Sequence, residues 1–319
     1  MIEKKFRILY LDQFASSNLA LMKEGIWNEL KSLIETGVEN GKILCPTPYE
    51  HFLETIQAEQ KKALEIDKYF SKLSKGFMFK TTAYTTSQLI ISIIRGNNLT
   101  LNTFIAKRIK EDLLTNKDEL NIIKNRRSNF NKMIKEGTSI SNKIREVQNG
   151  QKIEKETKEK LYNAISYVVK QKFIERLNNL LKAEKIEIRG DKFSFIEIPN
   201  WIDQTIFRLL KVHKMNRKET KKLISIIKRY GFNKFPTLDI RFSLYAIMSI
   251  ENKKEDAGDH IDIERIASGL PISDYFFTDK QRKSEIISLG LDSKYNTKVY
   301  SGTKVDLTNI KNELIKILN

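Results

Sequence analysis

The stretch Phe6-Arg-Ile-Leu-Tyr-Leu-Asp12 decides the reading of the fold. It is a short apolar run, bounded by charge, and it stops on an acid; this is the signature of a buried strand. Asp274-Tyr-Phe-Phe-Thr-Asp279 reads the same way near the other end of the chain. Working outward, the periodicity predicts a helix over Asn18–Thr36 and a short strand at Lys42-Ile-Leu-Cys45. Thr47-Pro48 predicts a helix start, with Thr as N-cap and Pro at the first helical position. That helix would carry Glu50, His51 and Glu54 and run toward Leu73. Later, Phe242–Ile250 is expected as a helix, Asp262–Ser268 as a helix start and Tyr275–Thr278 as a strand. Lys298-Val-Tyr-Ser301 is a further strand candidate, and Leu307–Leu318 the last helix. Strands alternating with helices on short connections predict an α/β fold with a parallel sheet flanked by helices.

The middle of the chain is different. Of the net charge of +17, residues 101–230 contribute nearly all, with 31 Lys+Arg against 16 Asp+Glu. Apolar residues recur there at three- and four-residue steps in Leu101–Leu120, Lys155–Ala183 and Asn216–Tyr230, predicting helices. Gly137, Gly150 and Gly190 are expected breaks. The alternation of Ile186–Ile198 around Gly190-Asp191 predicts a hairpin. The chain therefore divides into a split α/β domain, residues 1–80 and 232–319, and a basic, mainly α-helical insertion, residues 81–231.

A chain of 319 residues can bury a large core in one elaborated domain or two. Its basic balance favours polyanionic partners, although a lysine-rich composition alone gives the same sum. One cysteine, Cys45, excludes an intramolecular disulfide and suits a reducing interior. No signal-peptide pattern and no apolar run of about 20 residues is present, so a cytoplasmic protein away from the membrane is expected. Homo-oligomerisation stays open.

Acids cluster at element boundaries: Asp12, Glu50/Glu54, Asp259/Asp262 and Asp279. Mg²⁺ and Mn²⁺ take hard oxygen ligands, usually one or two carboxylates and waters. Two such ions roughly 4 Å apart can activate water against a phosphodiester. Convergence of acids is expected at the carboxyl ends of parallel strands. Glu50 and Glu54 are four apart and share a helix face beside His51. Each acid also has a plain structural role open to it. Asp12, Asp259 and Asp262 are suitable helix caps, Glu50 suits a first helical turn, and Thr278-Asp279 is a common turn pair.

In order and spacing these segments resemble the PIN-domain nuclease superfamily, specifically its larger PIN-like members. Leu11-Asp-Gln13 resembles the first-strand acid and its polar follower. Pro46-Thr-Pro-Tyr-Glu-His51-Phe-Leu-Glu54-Thr55 resembles the motif in which His precedes Glu-Thr. Asp259-His-Ile-Asp262 through Leu270-Pro271 resembles the third-acid helix, and Asp274 through Thr278-Asp279-Lys280 the last strand. The resemblance covers roughly 1–75 and 232–319, and Phe14-Ala15 departs from it. It implies a metal-dependent nuclease cutting RNA, or less often DNA, with Mg²⁺ or Mn²⁺ held by Asp12, Glu54, Asp262 and Asp279. Glu50 competes with Glu54, and Asp259 is an extra candidate ligand. The alternative is a PIN-like nucleic-acid-binding or protein-interaction module without catalysis.

Supporting candidates are His51, to position a phosphate or tune a carboxylate, and Lys280 and Arg241, to contact substrate phosphate. Each also has a bland role, as a satisfied helix histidine or a solvated cation. Lys214, Arg217, Lys218, Lys221 and Lys222 share a broad helical face suited to gripping a phosphate backbone, or simply to meeting solvent. No zinc ligand spacing and no glycine-rich phosphate loop is found.

Overall fold

A computed structural model describes residues 5–22, 24–48, 51, 55, 59–107, 117–148, 154–182, 201–251 and 253–319. In chain order the elements begin β1 (Arg7–Leu11), α1 (Gln13–Leu21), α2 (Gly25–Glu39), β2 (Ile43–Leu44), β3 (Thr47–Pro48), α3 (Gln60–Ser74) and β4 (Phe77–Phe79). The helical middle comprises α4 (Thr82–Arg95), α5 (Leu101–Phe104), β5 (Ile105–Lys107), α6 (Lys117–Gln148), α7 (Lys155–Lys182), α8 (Trp201–Lys211), α9 (Arg217–Tyr230), α10 (Pro236–Ile250) and α11 (Ala257–Gly269). The chain closes with β6 (Tyr275–Phe277), α12 (Lys280–Ser288), α13 (Leu291–Tyr295), β7 (Lys298–Tyr300) and α14 (Lys304–Leu318). Among the described residues no helix is long and apolar enough to cross a membrane.

The fold is α/β, built on a four-stranded parallel sheet in the order β2-β1-β6-β7. Ile8, Leu9, Tyr10 and Leu11 are all buried, as are the three residues of β6. Continuous apolar strands of this kind are stable only when both sheet faces are covered. On one face Leu9, Leu11 and Phe277 pack with Leu19, Leu30, Ile34, Phe70, Ile310 and Leu314 from α1, α2, α3 and α14. The ring of Tyr10, pointing the other way, stacks on Phe276 at 4.0 Å and meets Phe79 at 5.6 Å. A small second sheet has the order β3-β4-β5, with the last pair antiparallel.

The chain forms two compact units. The sheet unit takes Met1–Thr81, Thr100–Arg127 and Ser268–Asn319; the helical unit takes Thr82–Leu99 and Ser128–Ala267. The helical unit has its own core, in which Phe173, Leu177, Leu209, Leu223, Ile227, Phe235 and Leu238 are nearly inaccessible. Hydrogen bonds fasten α4 to α10 through Thr86 and Thr237 at 2.7 Å, and α7 to α10 through Tyr162 and Ser243 at 2.7 Å.

Several local expectations are corrected. The helix expected from Asn18 is broken after α1, because Met22 is extended and Gly25, at φ 72°, opens α2 in a conformation costly for any side chain. Thr47 and Pro48 are not a helix start. They pair in parallel with Met78 and Phe79, and Pro is tolerated because β3 lies at the sheet edge. Residues 51 and 55 are helical, but Glu59 is non-helical and caps a separate helix, α3. Leu101–Leu120 is not one helix, since Ile105–Lys107 leaves α5 to pair with β4. Gly137 lies inside α6, with open space where a Cβ would stand. Gly150, Gly190 and the hairpin expected at 186–198 lie outside the described residues.

Candidate active site at the carboxyl edge of the sheet

β1 and β6 run side by side and parallel, with Leu11 opposite Phe277. Their carboxyl ends therefore emerge together. The Asp12 amide donates to the Phe277 carbonyl at 2.9 Å, extending the ladder one residue past β1. The Asp12 side chain then serves two partners. One oxygen accepts from the Gln13 amide at 2.7 Å, capping α1, and the other accepts from the Thr278 hydroxyl at 3.1 Å. Asp12 is nearly buried, at 8% exposure, and Thr278 fully so. Asp279 follows, half-buried, and its carboxylate accepts from the Arg282 amide at 2.9 Å as the N-cap of α12. Lys280 beside it is exposed.

Gln13 connects this edge to a buried histidine. The Thr55 hydroxyl lies 3.2 Å from the Gln13 amide oxygen and 3.0 Å from His51 Nε2. His51 is fully buried, with its ring 3.7 Å from that of Phe70. It does not face open solvent; its reach toward Asp12 runs through Thr55 and Gln13. Glu50 and Glu54 lie outside the described residues.

A further acid at this edge escaped the reading of the sequence. Asp306, in the first turn of α14, accepts from the amide and hydroxyl of Ser301 at 2.8 and 2.5 Å and from Lys283 at 2.6 Å. Burial pushes its carboxyl up, but these bonds outweigh it and hold the group below its ordinary value. Its signal was available in the Thr303-Lys-Val-Asp306 spacing, since Thr303 is the N-cap of α14 and its hydroxyl oxygen accepts from the Asp306 amide at 3.2 Å.

Asp259 and Asp262 belong to the helical unit. α11 begins at Ala257, so Asp262 stands inside the helix and does not open it. Asp256 and Asp259 exchange amide bonds at 2.9 and 3.0 Å, a reciprocal cap that gives Asp259 a structural task. Asp262 lies 3.4 Å from buried Arg265. Arg241 is not on the surface: at 5% exposure it pairs with Glu264.

The basic face expected on α9 is present. Asn216 and Glu219 cap the helix reciprocally, each amide bond measuring 2.9 Å. Leu223, Ile224 and Ile227 take the core side, which leaves Arg217, Lys218, Lys221 and Lys222 exposed, as is Lys214 in the preceding turn. Lys222 donates to the Ile94 carbonyl at 2.5 Å.

Hard oxygens at Asp12 and Asp279 have the chemistry a Mg²⁺ or Mn²⁺ ion requires. Among the described residues, no three His, Cys, Asp or Glu side chains converge as a ligand set. Cys45 is buried, and burial pushes its thiol up, away from nucleophilic chemistry. No family profile, curated protein or solved structure is detectably similar to the chain.

Proposed function

We propose that this chain is a divalent-metal-dependent nuclease with a PIN-like sheet, an endoribonuclease that hydrolyses phosphodiester bonds at the carboxyl edge of β1 and β6. The observation that carries the reading is the meeting of Asp12 with Thr278-Asp279 across two parallel strands whose ends the intervening chain separates by 266 positions. Open parallel sheets bind ligands at this edge. Asp12 and Asp279 are the residues that would hold Mg²⁺ or Mn²⁺, with Glu54, or Glu50 in its place, as a further ligand in this reading. Asp259 and Asp262 lend it no support.

A divalent cation held there would supply Lewis acidity to the scissile phosphodiester. The chain's own residues do the rest. Thr278 and the Gln13 amide fix the orientation of the Asp12 carboxylate. The amino ends of α1 and α12, each carrying partial positive charge, favour an approaching phosphate. RNA as substrate agrees with the net charge of +17 and with the exposed cations of α9, which suit backbone contacts without sequence readout.

One observation favours the second reading, a nucleic-acid-binding or protein-interaction module without catalysis. Both carboxylates already cap helices, a task sufficient to account for an acid at each position. Incubation with structured and unstructured RNA and DNA in Mn²⁺, beside an Asp279→Asn control, separates the two. Metal-dependent RNA cleavage lost in the variant supports the nuclease; binding that neither needs metal nor leads to cleavage supports the module.

A further inference from the structure

The parallel sheet is polarised. Its carboxyl edge carries Asp12 and Asp279, whereas its amino edge carries cations. Lys42 immediately precedes β2, Arg7 opens β1, and Lys298 opens β7. Because the strand order is β2-β1-β6-β7, these three positions form a row across the sheet. With neighbouring strands spaced about 4.8 Å apart, the row spans roughly 14 Å. Lys5 and Lys316 flank it, and together these five cations line a groove of about 630 Å³.

Two carboxylates balance part of that charge. Arg7 pairs with Asp274 at 3.2 Å, and Glu313 takes Lys298 at 2.7 Å and Lys316 at 3.5 Å. Lys42 donates to the Leu318 carbonyl at 2.6 Å, at the carboxyl end of α14. The groove keeps a positive excess. Arg7, Lys298 and Lys316 are 60%, 57% and 72% exposed, and pairs so exposed hold their partners weakly and can exchange them for a multivalent anion. The groove also has an aromatic component. Tyr275 and Phe6 line it, and the Lys298 ammonium lies 5.9 Å from the Tyr275 ring centre. A linear row of cations beside the partly exposed ring of Phe6 is an arrangement that tracks a single-stranded backbone while a base finds apolar contact.

We propose that this amino-edge groove is a binding site for the phosphate backbone of single-stranded nucleic acid, separate from the carboxyl edge where cleavage is placed. The site rests on the reading of the chain as a nucleic-acid-binding protein, but it does not require the metal chemistry.

The experiment is fluorescence anisotropy of a labelled 12-nucleotide single strand with the full chain in EDTA, across a salt series. Losing one phosphate contact lowers the salt slope by about 0.7, so the Lys298→Gln/Lys316→Gln variant is expected to lose a slope of about 1.4 and roughly tenfold in affinity near 0.1 M salt. Glu313→Gln removes a competing carboxylate and is expected to bind more tightly than the native chain. This opposite sign guards against a variant that is merely unfolded. Cross-linking a strand that carries 5-iodouracil should mark Phe6. Native affinity in the lysine variant, or weaker binding in Glu313→Gln, would overturn the groove while leaving the nuclease reading intact. Equal competition by inorganic phosphate and by the strand, at matched phosphate concentration, would overturn the strand as occupant. Failure of the native chain to bind any strand in EDTA would overturn the groove, whereas the nuclease reading is decided separately by cleavage in Mn²⁺.

Discussion

The Thr278 hydroxyl donates to the Asp12 carboxylate at 3.1 Å, joining two strand ends that are 266 positions apart in sequence. The bond is possible because Leu11 and Phe277 are in register, so the next residue of each strand arrives at the same height. It fixes one oxygen of Asp12 while the Gln13 amide fixes the other.

Thr278→Val removes this donor and keeps the side-chain shape. With the buried carboxylate losing a partner, a destabilisation of about 1–2 kcal/mol is expected, together with slower RNA cleavage. Thr278→Ser should restore both. Thermal melts and cleavage rates measured on the three proteins check this; a valine variant indistinguishable from the native chain would argue that the bond has no role.

Gly269 is fixed by packing. A Cβ there would stand 2.7 Å from a Tyr10 ring carbon and 3.2 Å from one of Phe276, within the pair of rings stacked at 4.0 Å. Gly269→Ala should therefore cost about 1–3 kcal/mol by overpacking. Urea denaturation followed by tyrosine absorbance reads the effect, and an unaltered midpoint would mean that the stack shifts freely.

Acid stability of the helical unit should depend on Glu255. Burial raises its carboxyl, but bonds from His260, Tyr245 and Arg145 outweigh burial and hold it at about 2. The Arg145 and His260 contacts measure 2.8 and 2.6 Å. A carboxyl held below its unfolded value of 4.5 stabilises the fold fully above that pH, and the contribution fades as pH falls toward 2. Its size is on the order of 3 kcal/mol. Glu255→Gln should thus be less stable than the native chain at pH 6, with the gap shrinking by about half at pH 3 and closing only as pH falls through about 2. A gap independent of pH, in urea midpoints measured across that range, would contradict the linkage.

On α9, Lys218→Gln/Lys221→Gln should weaken binding to all single-stranded sequences alike and lower the salt slope by about 0.7 per contact. The helix should stay folded, because its buried face and its Asn216–Glu219 cap are untouched. A slope unchanged from the native chain would make this face an ordinary solvated surface.

The strands that carry Asp12 and Asp279 were legible because their burial comes from local composition: Ile8–Leu11 and Tyr275–Phe277 cannot be exposed. The α9 face was legible for the same reason, as helical periodicity separates Leu223, Ile224 and Ile227 from the lysines. Elements decided by distant pairing were not legible. Thr47-Pro48 has the local chemistry of a helix start, yet pairing with Met78 and Phe79 makes it a strand. Ile105–Lys107 continues a helical period, yet β4 takes it. Arg241 has the sequence context of a surface cation, and only the fold brings Glu264 against it. Asp306 was overlooked because the bond that defines it, to the Ser301 amide, joins a strand end to a helix start.

Cleavage of unstructured RNA in Mn²⁺ by the Asp12→Asn and Asp279→Asn variants tests the proposed function most directly. Asparagine caps a helix about as well as aspartate, so both variants should keep their stability while losing the charge that a divalent cation needs. Metal-dependent cleavage by the native chain, lost in both variants at unchanged melting temperature, is the expected result. Full cleavage by both variants, or none by the native chain in any divalent metal, would contradict the assignment of a nuclease site to this edge.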